Sequence, residues 1–228
     1  MIKINSPYYI KDFNLSKLTN EDWVNIDKYK STYVTEGQDD IKNLIYPGYC
    51  FSDSLAAEFY QKYILDFIVK DLNSFTPPRG NLHKDNKFIF IGQRPGHFGA
   101  HLSKAETAWL LGPSSKMLMR FLREVNIYPY LTNFYHSYFV MENKDWSNIY
   151  KELVGIFRMY KMFYKKEKFH IVFMGKYEEY NIVIDKLMQF EDVDLTFYKI
   201  WHPSYLLRSY SDRKFYDWVN HFKNMTGV

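Results

Sequence analysis

The chain has 228 residues and 27.6 kDa, 46% of them hydrophobic, which suits one α/β domain with a full core and excludes a disordered chain. Its net charge of +4 and pI near 8.8 permit a polyanionic partner without requiring one. A single cysteine, Cys50, excludes an intrachain disulfide, a four-thiolate iron–sulfur cluster and a CxxC zinc site.

Residues 1 to about 50 are polar, aromatic and irregular, so short helices and loops wrapped on a core are expected there. Met1–Asn5 carry no signal-peptide core, and no apolar run reaches membrane-spanning length. A cytosolic location is the expectation that follows. Aromatic residues reach 20%, with 21 Tyr and 19 Phe, so any one tyrosine is weak evidence for a site.

Ser54 suits an N-cap for a helix from Leu55 to about Leu72, with Leu55, Phe59, Tyr63 and Phe67 as its apolar face. Pro77-Pro78-Arg79-Gly80 then reads as a stop. Phe88 to Ile91 is a short run of aromatic and β-branched residues with no polar side, the pattern of a strand buried on both faces. Gly92 ends it and Pro95-Gly96 turns the chain. A helix from about Ser114 to Val125, a strand over Tyr130–Asn133, a helix from Trp146 to Tyr164 and a strand over His170–Gly175 follow. A helix over Tyr177–Phe190, a strand over Leu195–Trp201 and a helix from Asp212 to Asn224 complete the series. Strands alternating with helices predict an α/β fold: three layers, α/β/α, around a mostly parallel four-stranded sheet. One domain over 1–228 is expected, with 1–84 as an N-terminal wrap and 85–228 as the core.

Three of these strands finish in residues that carry chemistry: Gly92-Gln93, Asn133 and His202. In a parallel sheet such ends share one edge and open on one crevice. Glycine lets backbone approach a ligand, Asn donates and accepts along the edge of a heterocycle, Phe98 offers a stacking face, and His202 can donate to charge developing on a leaving base. Each also has a plainer reading. Asn133 can cap a turn, His202 can be a satisfied buried imidazole, and Pro203-Ser204 can start a helix.

Four segments in order carry a resemblance: Gly92-Gln93-Arg94-Pro95-Gly96, Gly112-Pro113-Ser114-Ser115-Lys116, Tyr130-Leu131-Thr132-Asn133, and His202-Pro203-Ser204-Tyr205-Leu206-Leu207-Arg208. Over about residues 85 to 220 the chain resembles the uracil-DNA glycosylase superfamily, and Gly96-His97-Phe98-Gly99 is similar to its single-strand-selective branch. The resemblance implies a monofunctional enzyme that hydrolyses the N-glycosidic bond of uracil, or of a hydroxymethylated or glucosylated pyrimidine, flipped out of DNA. It implies catalytic roles for Gln93, Asn133 and His202. Gly92, Arg94, Pro95, Gly96, Phe98, Ser204, Tyr205, Leu206 and Arg208 would contact the substrate, with Tyr205, Leu206 and Leu207 as a wedge in the duplex. DNA is the expected partner of a monomer without cofactor. Lys104 and Lys116 are further candidates for phosphate contacts. The departure is in the first loop: family members commonly hold Asp, Glu or Asn where this chain has Gln93 and Arg94. Glu106 and Asp212 are the nearest substitutes for a base, and a non-catalytic DNA-binding protein is the alternative.

Overall fold

Four successive apolar side chains leave β4 (Phe88–Gly92) no solvent face, and it lies inside the sheet with every residue buried. The computed structural model describes residues 2–3, 49–51, 53–60, 63–64, 78–94, 113–136, 147–191, 193–208 and 210–228. In chain order its elements are β1 (Ile2–Lys3), β2 (Tyr49–Phe51), α1 (Ser54–Tyr60), β3 (Arg79–Leu82), β4, α2 (Pro113–Glu124), β5 (Tyr130–Asn133), α3 (Ser147–Tyr164), β6 (Lys168–Met174), α4 (Glu179–Met188), β7 (Asp194–Ile200), α5 (Pro203–Arg208) and α6 (Asp212–Thr226).

The sheet runs β1-β2-β3-β5-β4-β6-β7. Strands β5, β4, β6 and β7 are mutually parallel, in the order the chain pattern predicts for helical crossovers. The expected four-stranded sheet is thus present, but it is larger. β3 pairs antiparallel with β5, and two short strands extend that edge, β2 parallel to β3 and β1 antiparallel to β2. Arg79 and Gly80, the end of the segment that reads as a stop, therefore begin a strand. Gly80 explains why: its φ is +109°, and a Cβ there would sit 2.5 Å from the Pro129 carbonyl, so only glycine lets the two backbones meet.

Alternation along the strands sends side chains to two separate cores. Ile89, Ile91 and Tyr130 join α1, α3 and α4 on one face, while Phe88, Phe90 and Leu131 join α2, α5 and α6 on the other. On the second face Phe121 stacks on Trp218 at 4.0 Å between ring centroids. β7 is an edge strand and shows the partly exposed pattern of one.

Helix α1 departs from expectation. Asp53, not Ser54, caps it, its Oδ1 accepting from Leu55 and Ala56 N–H at 2.8 and 3.0 Å. Leu55 and Tyr63 are exposed, and Ala56, Ala57, Tyr60 and Ile64 face inward instead. α3 approaches closely at Ile64: a Cβ on Gly155 would lie 2.7 Å from Ile64 Cγ1. The remaining helices fall close to where periodicity places them. No helix among the described residues is long and apolar enough to cross a membrane.

Candidate functional site

Because β5, β4, β6 and β7 are parallel, their carboxyl ends lie along one edge. The connection from β4 steps one way to β5, and that from β6 steps the other way to β7. The reversal falls between β4 and β6, where an open α/β sheet forms its ligand crevice.

Gly92 and Asn133 are register partners at the ends of β4 and β5. The ladder continues past them, with Phe134 N–H donating to Gly92 O at 2.7 Å and Tyr135 N–H to Gln93 O at 2.9 Å. Thr132 turns toward α3, where it bonds to Glu152, so alternation sends Asn133 to the opposite face, that of α2 and α5. Asn133 is 2% exposed, and among the described residues neither its Oδ1 nor its Nδ2 has a hydrogen-bond partner. A buried amide left so costs about 1–3 kcal/mol. The turn-capping role open to it in sequence is therefore not the one it plays.

His202 follows β7 by two residues and opens α5. Its Nδ1 accepts from Ser204 N–H at 3.1 Å and lies 2.7 Å from Ser204 Oγ. Burial, with a smaller contribution from the Arg208 guanidinium, pushes its pKa down to about 4. The ring is neutral at physiological pH, and with Nδ1 accepting, its proton belongs on Nε2. A neutral imidazole of this kind stabilises negative charge by donating, without acting as an acid. Helix α5 buries Leu206 among the residues of the α2/α6 face and packs against α2. Strand spacing puts the axis of β7 about 10 Å from that of β4, across β6.

The chain matches no protein-family model and no curated protein sequence.

The other expected residues divide. Gln93 is half-buried beside Asn133, and Arg94 is exposed. Ser204 is occupied with His202 and tunes it. Tyr205 is 54% exposed and Arg208 is exposed, both on α5, and Lys116 is exposed in the first turn of α2. Leu206 is a correction: at 1% exposure it is core and has no surface to insert into DNA. Its neighbour Leu207, 37% exposed, keeps one. Asp212 is a second correction. Its carboxylate is held by Tyr210 and by Arg120, the latter at 3.3 Å, and those bonds, Tyr210's first, draw its pKa below the usual range. It serves the start of α6, not the crevice. Pro95, Gly96, Phe98, Lys104, Glu106 and Gly112 lie outside the described residues.

Two features went unread in the sequence. Trp201, 44% exposed, lies against Tyr205 with ring centroids 5.7 Å apart, adding a second flat face beside His202. Its signal was position: an aromatic directly before a His-Pro-Ser run is where the chain leaves the sheet. Glu152 is fully buried on α3. A lone acidic residue three after Ile149 and four before Ile156 sits on the inward stripe, and that spacing marks it.

Proposed function

We propose that the protein is a DNA glycosylase, hydrolysing the N-glycosidic bond of uracil or a modified pyrimidine flipped out of DNA and leaving an abasic site. On this reading the sheet and its helices form the three-layer α/β/α core of the uracil-DNA glycosylase superfamily. One observation carries the proposal: the Asn133 amide is buried with both its donor and its acceptor unused among the described residues, beside the side-chain-free Gly92. A protein retains such a group where a ligand completes it, and a nucleobase edge presents the matching donor and acceptor side by side.

The roles follow from placement. Asn133 reads the base edge. His202, neutral and with its proton assigned to Nε2 by the Ser204 bond to Nδ1, donates to the oxygen that gains charge as the base leaves. Gln93 positions water or base from the end of β4. Tyr205 and Leu207, with Trp201 beside them, take the place of the departed nucleotide or stack on its neighbour. Arg94, Arg208 and Lys116 contact phosphates.

The alternative is a DNA-binding protein on the same fold that performs no hydrolysis. Its support is specific: Gln93 and Arg94 stand where a carboxylate would activate water, and Asp212 is engaged elsewhere. Incubation with duplexes carrying uracil, hydroxymethyluracil or glucosylated hydroxymethylcytosine, followed by alkali, separates the two. Scission with wild type and not with His202→Ala is the result expected. Tight binding with no abasic product on any of them selects the binder.

A further inference from the structure

Behind Asn133, on the face away from the crevice, lies a polar cluster that the glycosylase roles leave unused. Glu152 is 0% exposed on a helix side otherwise formed by Ile149, Leu153, Ile156 and Phe157. Its Oε1 accepts from Tyr130 OH at 2.7 Å. Its Oε2 accepts from Thr132 Oγ1 at 3.2 Å and lies 2.5 Å from His136 Nε2, and His136 is 3% exposed. Tyr60 OH is 2.5 Å from Tyr130 OH, and since Tyr130 gives its proton to Glu152, Tyr60 donates to Tyr130. α1, β5, the turn after β5 and α3 thus meet at one carboxyl group.

Stability alone is a poor reason for this cluster. Burying a carboxyl and an imidazole costs several kcal/mol of solvation, and apolar side chains of similar volume commonly replace such sets at no loss. What apolar residues do not supply is direction. Thr132 and His136 flank Asn133 in the chain, and one oxygen of Glu152 engages both. The Asn133 amide makes no hydrogen bond to any described residue, so its aim depends on the backbone to either side. The same stretch is tied forward, through the Phe134 and Tyr135 N–H groups, to the Gly92 and Gln93 carbonyls.

We propose that Glu152, with Thr132 and His136, is a positioning clamp that fixes Asn133 and the Gly92–Gln93 backbone in the geometry the crevice requires. The clamp is read from the contacts themselves. Only its effect on excision rests on the glycosylase reading.

Amide hydrogen exchange and single-turnover excision on Glu152→Gln test it, the variant keeping size while altering the donor and acceptor set. Exchange at Phe134 and Tyr135 is expected to rise about tenfold or more, with the β6 amides of Ile171 and Val172 unchanged. Excision is expected to slow about thirtyfold, with the DNA dissociation constant moving less than about threefold. Unchanged exchange at Phe134 and Tyr135, or an equal rise at Ile171 and Val172, overturns the clamp. If wild type excises nothing, the enzymatic reading falls, yet the exchange result still decides the clamp. Should Glu152→Gln fail to fold, Thr132→Val removes one grip and no acid. It is expected to raise exchange at the same two amides about threefold, and no rise there overturns the proposal.

Discussion

Gly92 and Asn133 stand opposite one another on adjacent parallel strands, one without a side chain and the other with a buried amide that bonds to none of the described residues. The empty position and the unused one are a single arrangement. Alternation puts position 92 on the same face of the sheet as Asn133, and on the proposed reading a ligand takes the place of a partner for the amide. On the proposed reading, function at this edge is placed at the expense of local stability, as is common where a ligand completes a site.

That relationship predicts opposite effects on stability and activity. Asn133→Leu keeps roughly the same volume and removes two orphaned polar atoms, so unfolding free energy is expected to rise by about 1 kcal/mol. Abasic-site formation should fall below detection with the same protein. Urea denaturation and the alkali assay read both. A loss of more than about 2 kcal/mol would mean the amide is satisfied in solution, and the site assignment would go with it.

His202 gives a pH signature. Its folded pKa of about 4 lies below the usual imidazole value near 6.5, so the unfolded chain takes up the proton first. The stability tied to the neutral ring is complete above about pH 6.5 and is lost as pH falls toward about 4, a change on the order of 3 kcal/mol. In His202→Gln that part of the decline should vanish, measured as the difference in urea unfolding between the two ends of the window. Parallel curves for wild type and variant would show the imidazole to be solvated in the folded state.

The parallel heart of the fold was legible because its two central strands, β4 and β6, carry long apolar runs. Phe88–Ile91 and His170–Met174 allow no other reading once Gly92 and Gly175 end them. The antiparallel edge was not legible, since Arg79-Gly80-Asn81 has no periodicity and is a strand only because β5 lies beside it. Asn133 and His202 could be picked out as strand-end residues, but their state could not: a missing hydrogen bond has no sequence signal. Leu206 failed for a related reason. In a six-residue helix, one residue in the motif must turn inward to anchor it, and three apolar neighbours do not say which.

Gly80 is predicted to tolerate no side chain. With φ at +109° and a Cβ position 2.5 Å from Pro129 O, Gly80→Ala carries both backbone strain and a clash with main chain that cannot rotate away. A loss of about 2–4 kcal/mol in urea unfolding is expected, with β3 amide protection reduced first. A variant as stable as wild type would show that β3 does not pair with β5 in this register.

The neighbours Tyr205 and Leu206 separate binding from folding within one turn of α5. Tyr205 is largely exposed beside Trp201, so Tyr205→Ala should leave thermal unfolding unchanged and weaken DNA binding by about 1–2 kcal/mol, the worth of one stacked base. Leu206 is buried against the α2/α6 face, so Leu206→Ala should cost about 2–4 kcal/mol of stability through the cavity it leaves. At a temperature where that variant remains folded, its DNA affinity should stay near wild type. Arg208→Ala supplies the electrostatic counterpart: removing one phosphate contact should lower the slope of log affinity against log salt by about 1, with no change in the apolar contribution. Fluorescence titration of a labelled duplex at several salt concentrations reads all three variants. If Leu206→Ala weakens binding while Tyr205→Ala does not, α5 presents the other side to DNA, and the crevice does not open where Asn133 and His202 point.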